Sequence, residues 1–142
     1  LYSCHPRSKK FIEQRGFKFD KRVIQHQPVG FFDYNKLQQN AFCVVSDSGT
    51  VPEEGAYLKF PAVSVRTSTE RPEAMDKGVF IIGSISTEQV LQAVDLAVSM
   101  HSNGDLGTDV PAYTDNNVST KVVKLIQSYT GIVNKMIWRK TQ

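Results

Sequence analysis

Residues Val44 to Leu58, VVSDSGTVPEEGAYL, run an apolar stretch through Ser-Asp-Ser-Gly-Thr and then into two glutamates. That order reads as a strand, a short loop and a helix start, the outline of an anion site. Free N–H groups in the first turn of a helix, helped by the helix dipole, favour phosphate oxygens. Ser48, Gly49 and Thr50 fall at that point. Gly49 lets a diphosphate approach the backbone closely, and the two hydroxyls add donors. Glu53 and Glu54 would repel phosphate if aimed at it, so at least one is expected to accept from ribose hydroxyls. A purely structural reading stands beside this one. Thr50 and Glu53 have capping-box spacing, Pro52 suits an early helical position, and acids suit an N-terminal turn.

Arg66 to Ala74, RTSTERPEA, follows the next buried strand and is expected to emerge on the same edge of the sheet, where Arg71 could clamp a diphosphate. Its structural alternative is an ion pair with Glu70 or Glu73, or a segment in which Thr69 starts a short helix around Pro72. Cys4-His5-Pro6-Arg7-Ser8 closes the first strand. A histidine there, beside an arginine, could meet an anion or a second domain, although a lone histidine is more often incidental.

These positions need a scaffold, and the chain alternates strand and helix throughout. Strands are expected to end at His5, to run over Arg22–His26, Ala41–Ser46, Pro61–Val65 and Val79–Ile82, with helices over Pro6–Arg15, Asp33–Asn40, Thr50–Leu58, Glu70–Lys77 and Thr87–Met100. AFCVVS from Ala41 to Ser46 reads as a strand buried on both faces. Such alternation implies an α/β fold, a Rossmann-like, doubly wound parallel sheet with helices on both faces, whose ligands sit beyond the carboxyl ends of the strands. After a Gly-, Asp-, Asn- and Pro-rich loop from His101 to Asn117, Val118, Val122, Leu125, Ile126, Tyr129, Val133, Met136 and Ile137 recur at helical spacing. That stripe suits packing on the core or on another domain. The division expected is a nucleotide-binding domain over residues 1–115 and an amphipathic C-terminal helix over 116–142.

A chain of 142 residues with 40% hydrophobic residues can form one core. It carries no run of about 18 uncharged apolar residues and no secretory pattern, so a soluble, cytoplasmic protein with no membrane partner is expected. Cys4 and Cys43 lie in apolar stretches and read as free thiols, while His5, His26 and His101 are scattered, so no metal is expected. Seven bases against two acids in the first 22 residues read as a solvated helix face rather than a nucleic-acid surface, because no recognition motif accompanies them. Leu1 to Cys4 reads as the tail of a strand entered part-way along, so the chain is expected to be a fragment.

The series SDSGTVPEE from Ser46 to Glu54, a buried strand, and TSTERPEA from Thr67 to Ala74 together resemble the signature of the non-hydrolysing UDP-N-acetylglucosamine 2-epimerase family. The resemblance extends from SCHPRS near the start to the helix after Asn116, over the C-terminal half of a family member. It implies two Rossmann-like domains in a glycosyltransferase-B arrangement, with UDP held mainly by this half and no cofactor. By position, Ser48, Gly49 and Thr50 would bind the diphosphate, Glu54 the ribose, and Arg71 the phosphates or nearby sugar. Val29 and Tyr34 match positions that frame the uracil. His5 matches a histidine near the domain interface that contacts a regulatory nucleotide sugar in some bacterial members.

The implied reaction is elimination of UDP to a 2-acetamidoglycal and re-addition to the opposite face, with homodimerisation of the full-length protein. The catalytic carboxylates and histidine are expected upstream of Leu1, in an N-terminal domain, leaving this chain to bind without turnover. Thr50 stands where most members have a second glycine. With HPRS and the ending NVSTKVVKLIQSYTGIVNKMIWRK, it makes the chain more similar to the capsule and O-antigen branch, the UDP-N-acetyl-L-fucosamine synthases. Competing readings are the donor-binding domain of a glycosyltransferase of similar fold and a non-catalytic interaction module.

Overall fold

A computed structural model describes residues 1–140. Five parallel strands alternate with helices: β1 (Tyr2–Ser3), α1 (Pro6–Gln14), β2 (Gln25–His26), α2 (Phe31–Gln39), β3 (Val44–Ser46), α3 (Val51–Leu58), β4 (Ala62–Ser64), α4 (Pro72–Asp76), β5 (Ile81–Ile82), α5 (Thr87–Ser102) and α6 (Val118–Met136). A single 3-10 turn, Pro111–Tyr113, interrupts the loop before α6. The alternation is the α/β pattern read from the sequence, but the strands form two ladders rather than one continuous sheet. One pairs β1 with β2, and the other runs β3-β4-β5. The first ladder is only two residues deep, and nothing in β1, α1 or β2 is buried, so little packing holds it to the rest.

The core is built around β4. Side chains alternate across a strand, so neighbours on β4 serve opposite faces. Ala62 joins Val51 and Ala56 of α3, Phe60, Ala74 of α4, Val79, Phe80 and Val110 in one cluster. Val63 points the other way and packs with Ala93 and Ala97 of α5. Val51 and Val63 are fully buried, each worth about 1.5–3 kcal/mol relative to exposure. Gly83, just past β5, permits the close approach of α5. A methyl group there would stand 2.7 Å from Val63 Cγ1 and 3.4 Å from Ala93 Cβ.

β2 and β5 are shorter than expected, at two residues each, and two further elements differ in what covers them. The Ala41–Ser46 run forms a strand only from Val44, and it is not buried on both faces, since Val45 is 45% exposed. Val45 pairs beside Val63, but β3 is the edge of its ladder, and the α5 residues that cover the face pack on Val63. The stripe of α6 does not pack on the core: no residue of that helix is buried, and Leu125, Ile126, Tyr129 and Met136 are all exposed. No helix among the described residues is long and apolar enough to cross a membrane.

Candidate functional site at the carboxyl edge of the second ladder

β3, β4 and β5 end almost level. Ser46 pairs with Ser64 and Ser64 with Ile82, and the ladder continues one step through Val65 N–H to Ser46 O and Gly83 N–H to Ser64 O. The segments leaving β3 and β4 therefore rise from one edge side by side, and these are the Ser46–Glu54 and Arg66–Ala74 stretches. This is the position at which parallel α/β sheets take their ligands.

The loop after β3 is organised by its own hydroxyls. Ser48 N–H donates to Ser46 Oγ at 3.1 Å and Thr50 N–H to Ser48 Oγ at 3.3 Å, while Ser48 Oγ and Thr50 Oγ1 lie 2.9 Å apart. Among the described residues no acceptor meets the Gly49 N–H. The capping-box reading of Thr50 and Glu53 does not hold. Thr50 has helical backbone angles and makes no side-chain cap, and its hydroxyl donates instead to Glu54 Oε1 at 2.9 Å. The reason is helical spacing: residues four apart are neighbours on one face, so Thr50 meets Glu54.

Glu53 turns to the second stretch. Its Oε1 accepts from Arg71 Nε at 2.5 Å, and Arg71 Nη1 donates to the Glu70 carbonyl at 3.3 Å. Arg71 thus forms its ion pair with Glu53 of α3, not with Glu70 or Glu73, because the level strand ends bring the two loops together. The Glu53 contact raises the guanidinium's pKa still further, fixing its charge. Glu70 is held by Arg66 Nη1 at 2.7 Å, which pulls its carboxyl below the ordinary range. That carboxylate lies over Gly49, where an added Cβ would come 2.6 Å from Glu70 Oε1. Thr69 does turn the chain into α4, its Oγ1 accepting from Arg71 N–H at 3.0 Å.

The α2 helix brings Tyr34 to the same place. Burial, and then the charge of Glu54, push the Tyr34 phenol above its usual pKa. The helix starts at Phe31 with Gly30 before it, two residues ahead of the expected start, so Asp33 lies in the first turn. Val29 is exposed in the loop before that helix. His5 stands apart from these groups on the first ladder, where its Nδ1 accepts from Arg7 N–H at 3.2 Å and caps α1.

Three contacts were not legible in the motifs. Gln38, one turn after Tyr34 on α2, donates through Nε2 to Glu54 Oε2 at 2.5 Å. Tyr113, in the 3-10 turn, donates to Glu73 Oε1 at 2.7 Å and lowers that carboxyl's pKa. Arg66 supplies the hold on Glu70. Only Arg66 carried a signal, being placed four residues before an acid just beyond a buried strand. Cys4 and Cys43 are free, and burial pushes the Cys43 thiol up to about 11. No group of three His, Cys, Asp or Glu side chains suited to a metal occurs among the described residues.

The arrangement offers two guanidiniums, each paired with a carboxylate, the bare N–H of Gly49, two hydroxyls and the Glu54 carboxylate near a tyrosine, all at one sheet edge. Comparison with known proteins gives this geometry a lineage. The family described as UDP-N-acetylglucosamine 2-epimerase matches residues 1–127. A UDP-N-acetylglucosamine 2-epimerase of Methanocaldococcus jannaschii is 33% identical over 107 residues, covering 72% of this chain and 29% of that protein. The solved UDP-N-acetylglucosamine 2-epimerase of Rickettsia bellii superposes with a TM-score of 0.75 at 38% identity, over 97% of this chain and 38% of that one. The Methanocaldococcus jannaschii enzyme in complex with UDP-GlcNAc and UDP gives 0.73 at 28% identity, over 89% of this chain and 34% of the other. The chain spans about a third of the length of the relatives it matches.

Proposed function

This chain belongs to the UDP-N-acetylglucosamine 2-epimerase family, and from that premise we propose that it is the UDP-binding part of a UDP-N-acetyl-hexosamine 2-epimerase, an isomerase. The observation that carries the reading is the meeting of two loops at one sheet edge, with Arg71 tied to Glu53 in the first turn of α3 and Glu70 and Arg66 against Gly49. In this reading the Gly49 N–H and the Ser48 hydroxyl donate to the diphosphate, Thr50 lies beside it with its own proton held by Glu54, and Arg71 meets the negative charge. Glu54 accepts from the ribose, and Val29 and Tyr34 frame the uracil. His5 stands at a regulatory or domain-facing position.

Mechanistically, this chain's share is to stabilise the departing UDP. Breaking the bond from C1 to the diphosphate oxygen leaves negative charge on that oxygen, and fixed N–H and guanidinium donors lower the energy of that charge. Removing the proton from C2 needs an acid–base group, and the reading assigns that role to an N-terminal domain of the full-length protein. Inversion follows when UDP re-adds with the proton returned to the opposite face.

The finer assignment is the UDP-N-acetyl-L-fucosamine branch of capsule and O-antigen precursor synthesis, supported by Thr50 in place of a second glycine. A cytoplasmic homodimer when full length, and a division into residues 1–115 and 116–142, belong to the same proposal. The exposed α6 stripe is consistent with a second domain covering it.

Hydrogen exchange of the chain with and without millimolar UDP tests the reading. Protection is expected at Ser48–Thr50 and around Arg71. Unchanged exchange at both loops would overturn it.

A further inference from the structure

Gln38 is a polar side chain in a place where the helix around it would pack well with an apolar one. It is 3% exposed, and its Oε1 has no partner among the described residues. A buried amide oxygen left without a donor is a cost that a methionine or leucine of similar length would avoid. The other half of the amide has a definite use. Gln38 Nε2 donates to Glu54 Oε2 at 2.5 Å, from α2 to α3. The orientation is set by charge: a carboxylate offers only lone pairs, so the NH₂ must face it and the carbonyl must face away.

The two oxygens of Glu54 are thereby held from different elements. Thr50 Oγ1 donates to Oε1 at 2.9 Å from the loop, and Gln38 donates to Oε2 from the neighbouring helix. Two donors at opposite ends of a carboxylate fix the rotation of its plane, and each oxygen keeps lone-pair capacity for one further donor. Tyr34 and Gln38 are one helical turn apart, so the same face of α2 that sets the carboxylate carries the Tyr34 phenol, whose pKa burial and then the Glu54 charge raise.

We propose that Gln38 is a positioning residue, which orients the Glu54 carboxylate to accept the ribose hydroxyls of a uridine nucleotide. The proposal rests on the reading that Glu54 meets the ribose. It predicts a glutamine whose removal leaves the fold and the phosphate contacts alone but erases the site's ability to recognise a hydroxylated sugar.

The experiment titrates the full chain with UDP, 2′-deoxy-UDP and 3′-deoxy-UDP by calorimetry, for the parent and for Gln38→Met. In the parent, loss of one ribose hydroxyl is expected to weaken binding about tenfold, the scale of one charge-assisted hydrogen bond. In Gln38→Met the ratio is expected to fall towards one, with affinity for the deoxy nucleotide unchanged and thermal stability unchanged or higher. A parent-like ratio in Gln38→Met would confine Gln38 to packing and overturn the proposal while leaving the ribose contact intact. Equal affinities for all three nucleotides in the parent would remove the ribose contact itself, and the proposal with it. Gln38→Asn, one methylene shorter and out of reach of Glu54, gives the same readout should Gln38→Met fail to fold.

Discussion

Arg71 Nε lies 2.5 Å from Glu53 Oε1, across a gap of 18 residues in the chain. The contact joins the N-terminal turn of α3 to the loop that leads into α4. Both partners are about one-third exposed, at 32% and 39% of their side-chain surface, so the pair adds little to stability by itself. Its value is geometric. It holds a permanent positive charge between the two loops while neutralising an acid in the first turn of α3 that would otherwise repel an anion.

Replacing Arg71 with Ala is therefore expected to weaken UDP binding by about ten- to a hundredfold, the range for losing a charge-assisted contact and uncovering Glu53. Arg71→Lys should recover only part of this, because an ammonium cannot hold Glu53 and a phosphate with one planar fork. Calorimetry on the three proteins reads the order directly. Equal affinities for parent and Arg71→Ala would remove Arg71 from the site.

Gly49→Ala separates binding from folding. The added methyl group would stand 2.6 Å from Glu70 Oε1, the far end of a flexible side chain, with no backbone atom in the way. Glu70 can swing aside, so the thermal midpoint should change little. A diphosphate seeking the Gly49 N–H meets the methyl group as well, and UDP affinity should fall at least tenfold. An unchanged affinity would place the phosphates elsewhere.

Gly83→Ala does the reverse. Its methyl group would press on the fully buried Val63 and on α5, and neither can retreat into solvent. Overpacking of this kind costs roughly 1–3 kcal/mol. Urea denaturation should show that loss, and Gly83→Ala combined with Val63→Ala should cost less than the two single changes added together, since the smaller residue 63 makes room. Strict additivity would show that residues 63 and 83 do not press on each other.

The parts of the fold that came through the sequence are those governed by periodicity and chain punctuation. α5 was expected to begin at Thr87 and does, α3 begins and ends within a residue of its expected limits, and α6 covers Val118–Met136 of the expected 116–142. The parts that did not come through depend on what lies opposite. AFCVVS is apolar throughout, but an edge position leaves Val45 uncovered, and no run of six residues reveals which strand will be the edge. Residues with motif neighbours that meet at this sheet edge, such as Ser48, Glu54 and Arg71, could be picked out in advance by their places after β3 and β4. Gln38 could not, because a glutamine in KLQQ looks like an exposed helix position until a second helix brings Glu54 against it. The Glu53 partner of Arg71 was missed for a related reason: local spacing favoured Glu70 and Glu73, whereas the sheet supplied a nearer acid.

Tyr113 ties the 3-10 turn to α4 by donating to Glu73 Oε1 at 2.7 Å, and the bond carries a pH signature at both ends of the scale. Burial, followed by the Glu73 contact, raises the Tyr113 phenol above its ordinary 10.0. A group whose folded pKa is raised contributes stability that is complete below the unfolded value and lost as pH climbs beyond it. Glu73 moves the opposite way, the Tyr113 hydrogen bond drawing its carboxyl below the ordinary 4.5. Its contribution is present above that value and fades as pH falls through the lower folded pKa. Tyr113→Phe removes the phenolic proton and the bond together. The stability difference between parent and Tyr113→Phe should thus be greatest near neutrality and shrink both above about pH 10 and below about pH 4. Urea midpoints at about pH 3.5, 7 and 10.5 measure it, with the variant as the control for every other titrating group. A difference that stays constant across that range would mean that Tyr113 holds the turn by packing its ring and that its hydroxyl contributes nothing to the contact.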